Sequence, residues 1–166
     1  MITLYLDMDG VVANFDKAYR EFDPKKEDRK KFRSAVMDYK IFEDLEPMPN
    51  TNILLSHISN LRGMKVEMLT SMGTFDPEQG AEAKRQKLVW LRKHNITYKA
   101  NFVRSKQEKA NYATPESILI DDSVGCIDPF VRAGGHGILH NDSIIRQTLM
   151  LLDNIVLQLF AIKALR

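Results

Sequence analysis

Ile2-Thr3-Leu4-Tyr5-Leu6-Asp7-Met8-Asp9-Gly10-Val11 is the stretch around which the rest of the chain is organised. Residues 2 to 6 form a short apolar, β-prone run that reads as a buried strand, and it stops where two carboxylates appear one residue apart. In an open α/β sheet, ligands gather beyond the carboxyl ends of the strands, which is where this strand delivers Asp7 and Asp9. Residues i and i+2 of extended chain point the same way, so both side chains are expected to face one phosphate or metal. Gly10 then allows a sharp turn. Two carboxylates so placed can divide phosphoryl transfer between them. One attacks phosphorus as nucleophile; the other protonates the leaving oxygen and later deprotonates the hydrolytic water. Their repulsion of each other and of a phosphate calls for Mg²⁺. A strand ending in a polar turn is the plain alternative. An EF-hand loop does not fit, because it needs Gly at its sixth position and Glu at its twelfth.

Working outward, the same logic returns. Val66 to Leu69 reads as a second strand, delivering Thr70 and Ser71 to the same edge, where hydroxyl and backbone N–H groups can bind phosphate oxygens or simply cap a turn. Asp76-Pro77-Glu78-Gln79 is a helix start, with an N-cap Asp, Pro at N1 and Gln at N3, and the helix runs to about His94 with Asn95 as a left-handed stop. Leu88 and Leu91 mark its buried side; a lysine such as Lys87 is by default solvated. Asn101 to Val103 reads as a strand followed by Arg104, Lys106 and Lys109, either phosphate-side cations or a solvent-facing connector. Ser117-Ile118-Leu119-Ile120-Asp121-Asp122 is again a buried run ending in acids, which either cap the turn or bind Mg²⁺. Asp128-Pro129 is read as the start of a short helix closed by Gly134-Gly135, and Gly137 to His140 as the last strand. A final helix over about 143–165 is apolar on half its circumference. Packing on the sheet explains most of that, and a homodimer contact is left open.

Between the first two strands lie roughly 35 residues with helical periodicity and no strand pattern. One helix is expected over 12–22, carrying Phe15, Tyr19 and Phe22, then a break at Asp23-Pro24, then a helix over 27–40 carrying Phe32, Val36 and Tyr39. Lys25, Lys26, Arg29, Lys30, Lys31 and Arg33 are read as a solvated face, with polyanion binding as the alternative. An irregular segment from Ile41 to Pro49 leads to a helix capped by Asn50 or Thr51. The stretch 13–49 is therefore expected to be a small helical cap over a core made of 1–12 and 50–166. Its aromatics either stack on a planar substrate group or pack the cap itself.

Bulk properties bound these readings. A chain of 166 residues makes one domain with a modest insertion. Its 24 Lys and Arg against 22 Asp and Glu leave a net charge of +2. That is too little to argue for a nucleic-acid partner. The single Cys126 excludes an internal disulfide and is read as a buried thiol in a reducing, cytoplasmic setting. No signal-peptide pattern and no 18-residue apolar stretch is read, so no membrane association is expected. His57, His94, His136 and His140 show no metal-ligand spacing.

Taken together, Asp7-Met8-Asp9, Thr70 after its strand, Lys87 in Lys87-Leu88-Val89-Trp90-Leu91, and Ile120-Asp121-Asp122 resemble the four motifs of the haloacid dehalogenase superfamily of phosphohydrolases. Asp7 to Phe15 and Phe42 to Pro49 further resemble the 5'(3')-deoxyribonucleotidase family, over residues 2 to about 140. The resemblance implies a Rossmann-like parallel core with an inserted helical cap, and Mg²⁺-dependent dephosphorylation of nucleoside monophosphates. It implies Asp7 as nucleophile and Asp9 as general acid/base. Thr70, Ser71 and Lys87 would hold the phosphate, with Lys106 or Lys109 as the second phosphate-side lysine. Asp7, the Asp9 carbonyl, Asp122 and Asp121 would hold Mg²⁺, and Phe15, Tyr39 and Phe42 would line the substrate pocket. The acid two residues after the nucleophile fits phosphate esters better than carbon–halogen cleavage. Other small phosphomonoesters, or a non-catalytic phosphate or nucleic-acid binding module, are the alternative readings.

Overall fold

The computed structural model describes residues 1–22 and 28–165, with the backbone alone at 28 and 29. Five parallel strands lie in the order β3-β2-β1-β4-β5. They are β1 Ile2–Leu6, β2 Met64–Ser71, β3 Lys99–Val103, β4 Ser117–Asp121 and β5 His136–Leu139. The helices are α1 Phe15–Glu21, α2 Asp28–Met37, α3 Thr51–Asn60, α4 Pro77–Lys93, α5 Val124–Arg132 and α6 Ile145–Ala164, with 3-10 turns at Ile41–Glu43, Gln107–Tyr112 and Asp142–Ile144. The order reverses at β1, which pairs with β2 on one side and β4 on the other. The crevice opens at that switch point, beyond the carboxyl ends of β1 and β4. All five residues of β4 are buried, as a central parallel strand covered on both faces should be. This is the Rossmann-like α/β fold with a helical segment after the first strand that the motifs led one to expect.

Several local readings change. Helix α1 begins at Phe15 because residues 8–13 are spent on a tight turn, in which Val12 and Ala13 both donate to the Met8 carbonyl at 2.9 Å. Asn50 stands at the start of α3 but makes no side-chain cap; its amide donates instead to the Asp142 backbone oxygen (2.9 Å) and carboxylate (3.1 Å). Helix α5 begins at Val124, and Pro129 sits inside it. The connector after β3 is a 3-10 turn, not a solvent-facing loop, and buries Lys109. Lys31 is buried with its ammonium 4.5 Å from the centre of the Tyr19 ring, so it leaves the solvated basic face. Asp23-Pro24, Lys25 and Lys26 lie outside the described residues, as does the Arg29 side chain.

The segment after β1 is fastened to α4. The buried Gln86 accepts from Phe42 N–H (3.2 Å) and donates to Val36 O (2.7 Å), while Trp90 Nε1 donates to Leu45 O (2.8 Å). Helix α6 packs Thr148, Leu152, Val156 and Leu159 inward. Its outer side exposes Met150, Leu151 and Leu157. With the preceding turn, Asp142–Ala164 is long and apolar enough to cross a membrane by length and composition, where no such stretch was expected.

Candidate active site

Strand β1 ends at Leu6, and Asp7 N–H donates to Ile120 O of β4 at 3.0 Å, so Asp7 and Asp121 leave the sheet side by side. Lys109 joins them, with Nζ 2.9 Å from Asp7 Oδ1 and 2.6 Å from Asp121 Oδ2. Burial opposes the charge on Lys109, but the two carboxylates outweigh it and hold its pKa above the ordinary range. Asp121 is fully buried and also accepts from Ser123 N–H at 2.9 Å. Burial, then repulsion from Asp7, raises its pKa against the pull of Lys109.

Asp9 lies on the turn, not on extended chain, and its side chain goes to a second lysine. Lys87 Nζ, with no exposed surface, donates to Asp9 Oδ2 (2.6 Å), Thr70 Oγ1 (2.9 Å) and the Ser71 carbonyl (2.8 Å), and lies 4.6 Å from the centre of the Phe42 ring. An ammonium has three protons, and all are taken. Lys87 and the buried Thr70 are not among the described residues lining the crevice; Lys87 reaches Asp9 from behind and is itself held by Thr70. Burial raises the Asp9 pKa, with Lys87 pulling it back. A carboxyl so raised suits proton donation.

Asp122 stands at the solvent side of the cluster. Its pKa is pushed up to about 7, by its enclosure first and then by Asp7, Asp121, Asp16 and Asp9. Asp7, Asp121 and Asp122 each offer an oxygen, all within 4.8 Å of one another. Asp7, Asp9 and Asp121 share two lysines, and Asp122 has neither as a partner. Oδ1 of Asp9 is buried without a hydrogen bond, and Oδ1 of Asp7 has the Lys109 ammonium beside it. Three converging hard oxygen donors and an excess of carboxyl groups over lysines fit a hard divalent cation. Gly10, at φ +76°, makes the approach possible, because a Cβ there would lie 2.0 Å from Asp122 Oδ2.

The crevice has a volume of about 460 Å³. Acids form its floor, and Phe15, Phe32, Phe42 and Phe75 its apolar wall. Phe15 stacks on Phe42 with ring centres 5.1 Å apart. Tyr39 is not among the described lining residues; it is 68% exposed and packs edge-on to Phe22 at 4.6 Å. Ser71 lines the crevice. Lys106 does too, but is exposed and donates to Ser123 Oγ at 3.0 Å, so of the two lysines left open after β3 it is Lys109 that reaches Asp7. Sequence reading missed Phe75 and the burial of Lys109, while Arg104, one of the cations named after β3, does line the crevice. Only the 3-10 turn brings Lys109 inward, and its signal is faint in a polar stretch. Cys126 lies at the crevice edge, its thiol pushed up to about 12 chiefly by burial.

No protein-family model matches the chain, and no curated protein matches it. Among solved structures it is similar to a hydrolase from Streptococcus pneumoniae TIGR4, at 16% identity and a TM-score of 0.51, covering 90% of this chain and 97% of that one. It is also similar to D,D-heptose 1,7-bisphosphate phosphatase from Burkholderia thailandensis, at 13% identity and a TM-score of 0.46, covering 81% of this chain and 75% of that one. At these identities the likeness is one of fold: a parallel sheet flanked by helices.

Proposed function

We propose that the protein is a Mg²⁺-dependent phosphomonoester hydrolase acting through an aspartyl phosphate, with nucleoside monophosphates as substrates. The observation that carries the reading is the separation of the two acids by two buried lysines. Lys109 pairs with Asp7 at the crevice floor and sets its carboxylate where a nucleophile is needed. Asp9, raised by burial and steadied by Lys87, suits the proton-transfer role.

A carboxylate oxygen of Asp7 attacks phosphorus while Asp9 gives its proton to the departing ester oxygen. Asp9 then takes a proton from water, which attacks the acyl phosphate and frees Asp7. Lys109 offsets charge on the transferring group, and Ser71 at the crevice wall supplies a hydroxyl to its oxygens. Asp7, Asp121 and Asp122 would hold Mg²⁺, whose chemistry is to offset phosphate charge and polarise its oxygens. The nucleotide preference rests on the motif resemblance and on the phenylalanine wall, which suits a planar base. The Streptococcus relative's description as a hydrolase agrees with the reaction class.

The test is phosphate release from a panel of 5' and 3' nucleoside monophosphates and sugar phosphates, with Mg²⁺ or EDTA, for wild type and Asp7→Asn. Nucleotide-selective turnover, lost in EDTA and in the variant, is expected. Turnover of sugar phosphates alone would replace the nucleotide with another small phosphomonoester, and no turnover at all would sink the reading.

A further inference from the structure

The crevice has one aromatic ring whose exposure the fold does not account for. Phe75 is 67% exposed, yet it lines the same crevice as the acids. It occupies the position just before the N-cap of α4, where Asp76 accepts from Gln79 N–H at 2.9 Å. An apolar residue there ordinarily packs on the fourth residue of the helix as a hydrophobic staple. In α4 that residue is Gly80, which has no side chain and faces Met72 and Thr74. The staple is missing, and the ring is left for the crevice.

The ring is nonetheless held. Gly73 N–H donates to Ser71 Oγ (3.0 Å) and Asp76 N–H to Thr74 Oγ1 (3.1 Å), which sets the loop on both sides of Phe75. The Arg104 guanidinium lies 5.6 Å from the ring centre. Arg104 is itself fixed by Glu108, which accepts from its backbone N–H (2.8 Å), its Nε (3.0 Å) and its terminal nitrogen (2.8 Å). An ordered cation against an aromatic ring stiffens it as a platform. From the cap side, Phe32 reaches the same loop, its ring 3.0 Å from where a Cβ on Gly73 would stand.

We propose that Phe75, backed by Arg104, is a specificity-determining platform that stacks on the leaving group, so that the crevice selects phosphomonoesters whose leaving group carries a planar aromatic ring. The cations Arg104 and Lys106 at the rim select against a cationic ring. This deepens the hydrolase reading and rests on it for the identity of the leaving group. A planar platform separates esters by their ring, whereas a tether between loops would act on all esters alike.

Thymidine 5'-monophosphate and deoxyribose 5-phosphate differ only by the base. For Phe75→Ala the ratio of their kcat/KM values should fall roughly tenfold, through KM, since stacking one base on an aromatic side chain has about that effect. Phe75→Trp should keep the ratio, and Phe75→Leu should fall between. The same ratio is to be read without turnover, as dissociation constants in an Asp7→Asn background with and without Phe75→Ala. A ratio unmoved by Phe75→Ala in both assays overturns the platform. Wild-type protein inert on every ester overturns the hydrolase reading instead, and the platform is then decided by the binding ratio alone.

Discussion

Two buried lysines, Lys87 and Lys109, do different work beside the acids. Lys109 separates Asp7 from Asp121, and removing it leaves two buried carboxylates facing each other. Breaking a buried ion pair from one side typically costs about 3–5 kcal/mol. Lys109→Met should therefore show a large drop in denaturation midpoint together with loss of activity of at least roughly a hundredfold. Lys106→Ala, at an exposed site, should change stability by less than about 0.5 kcal/mol. Asp122 gives a prediction with a sign. Its folded pKa of about 7 lies above the ordinary carboxylate value, so between about pH 4 and 7 the native state holds a proton that the unfolded state has released. Stability without metal should therefore fall as pH rises through that window. Thermal denaturation in EDTA checks it: Asp122→Asn should flatten the fall and melt a few degrees above wild type at pH 7.5, and Mg²⁺ should reverse the order.

At the scale of elements, the turn after β1 and helix α4 carry the site. Gly10→Ala puts a methyl group against Asp122 and a side chain at positive φ, so the Mg²⁺ concentration for half-maximal activity should rise at least roughly tenfold. Unchanged metal dependence would mean that Asp122 does not serve the cluster. Gln86→Leu takes hydrogen bonds from both Phe42 N–H and Val36 O. Leaving those buried groups unpaired costs about 1–3 kcal/mol, readable as a lower melting temperature and earlier proteolysis after α2. These elements also show what a sequence reveals. Strands β1 and β4, each an apolar run ending in acids, were legible because a buried parallel strand has few other compositions. The cap of α4 was legible from Asp76-Pro77. Pro129 misled, since proline usually opens a helix and here lies within one. The direction of Asp9 was illegible, because the turn already begins at Met8 and cancels the alternation of extended chain.

For the whole molecule, the parallel sheet brings Asp7, Ser71 and Asp121, distant in sequence, to one edge, and α4 supplies Lys87 from behind. Which residues meet at that edge was readable from strand ends. Which of them line the crevice was not, since Thr70 and Lys87 turn inward while Phe75 and Arg104 turn to the crevice. That choice depends on packing between elements far apart in the chain. The hydrolase reading requires a phosphoryl group on Asp7. It is tested most directly in Asp9→Asn with para-nitrophenyl phosphate and Mg²⁺, because that leaving group departs without a proton while release from the acyl phosphate still needs a base. Acid quenching followed by peptide mass spectrometry should find an alkali-labile phosphoryl group on Asp7, formed together with a burst of nitrophenolate. Steady release of nitrophenolate with no phosphoryl group on Asp7 would contradict the account.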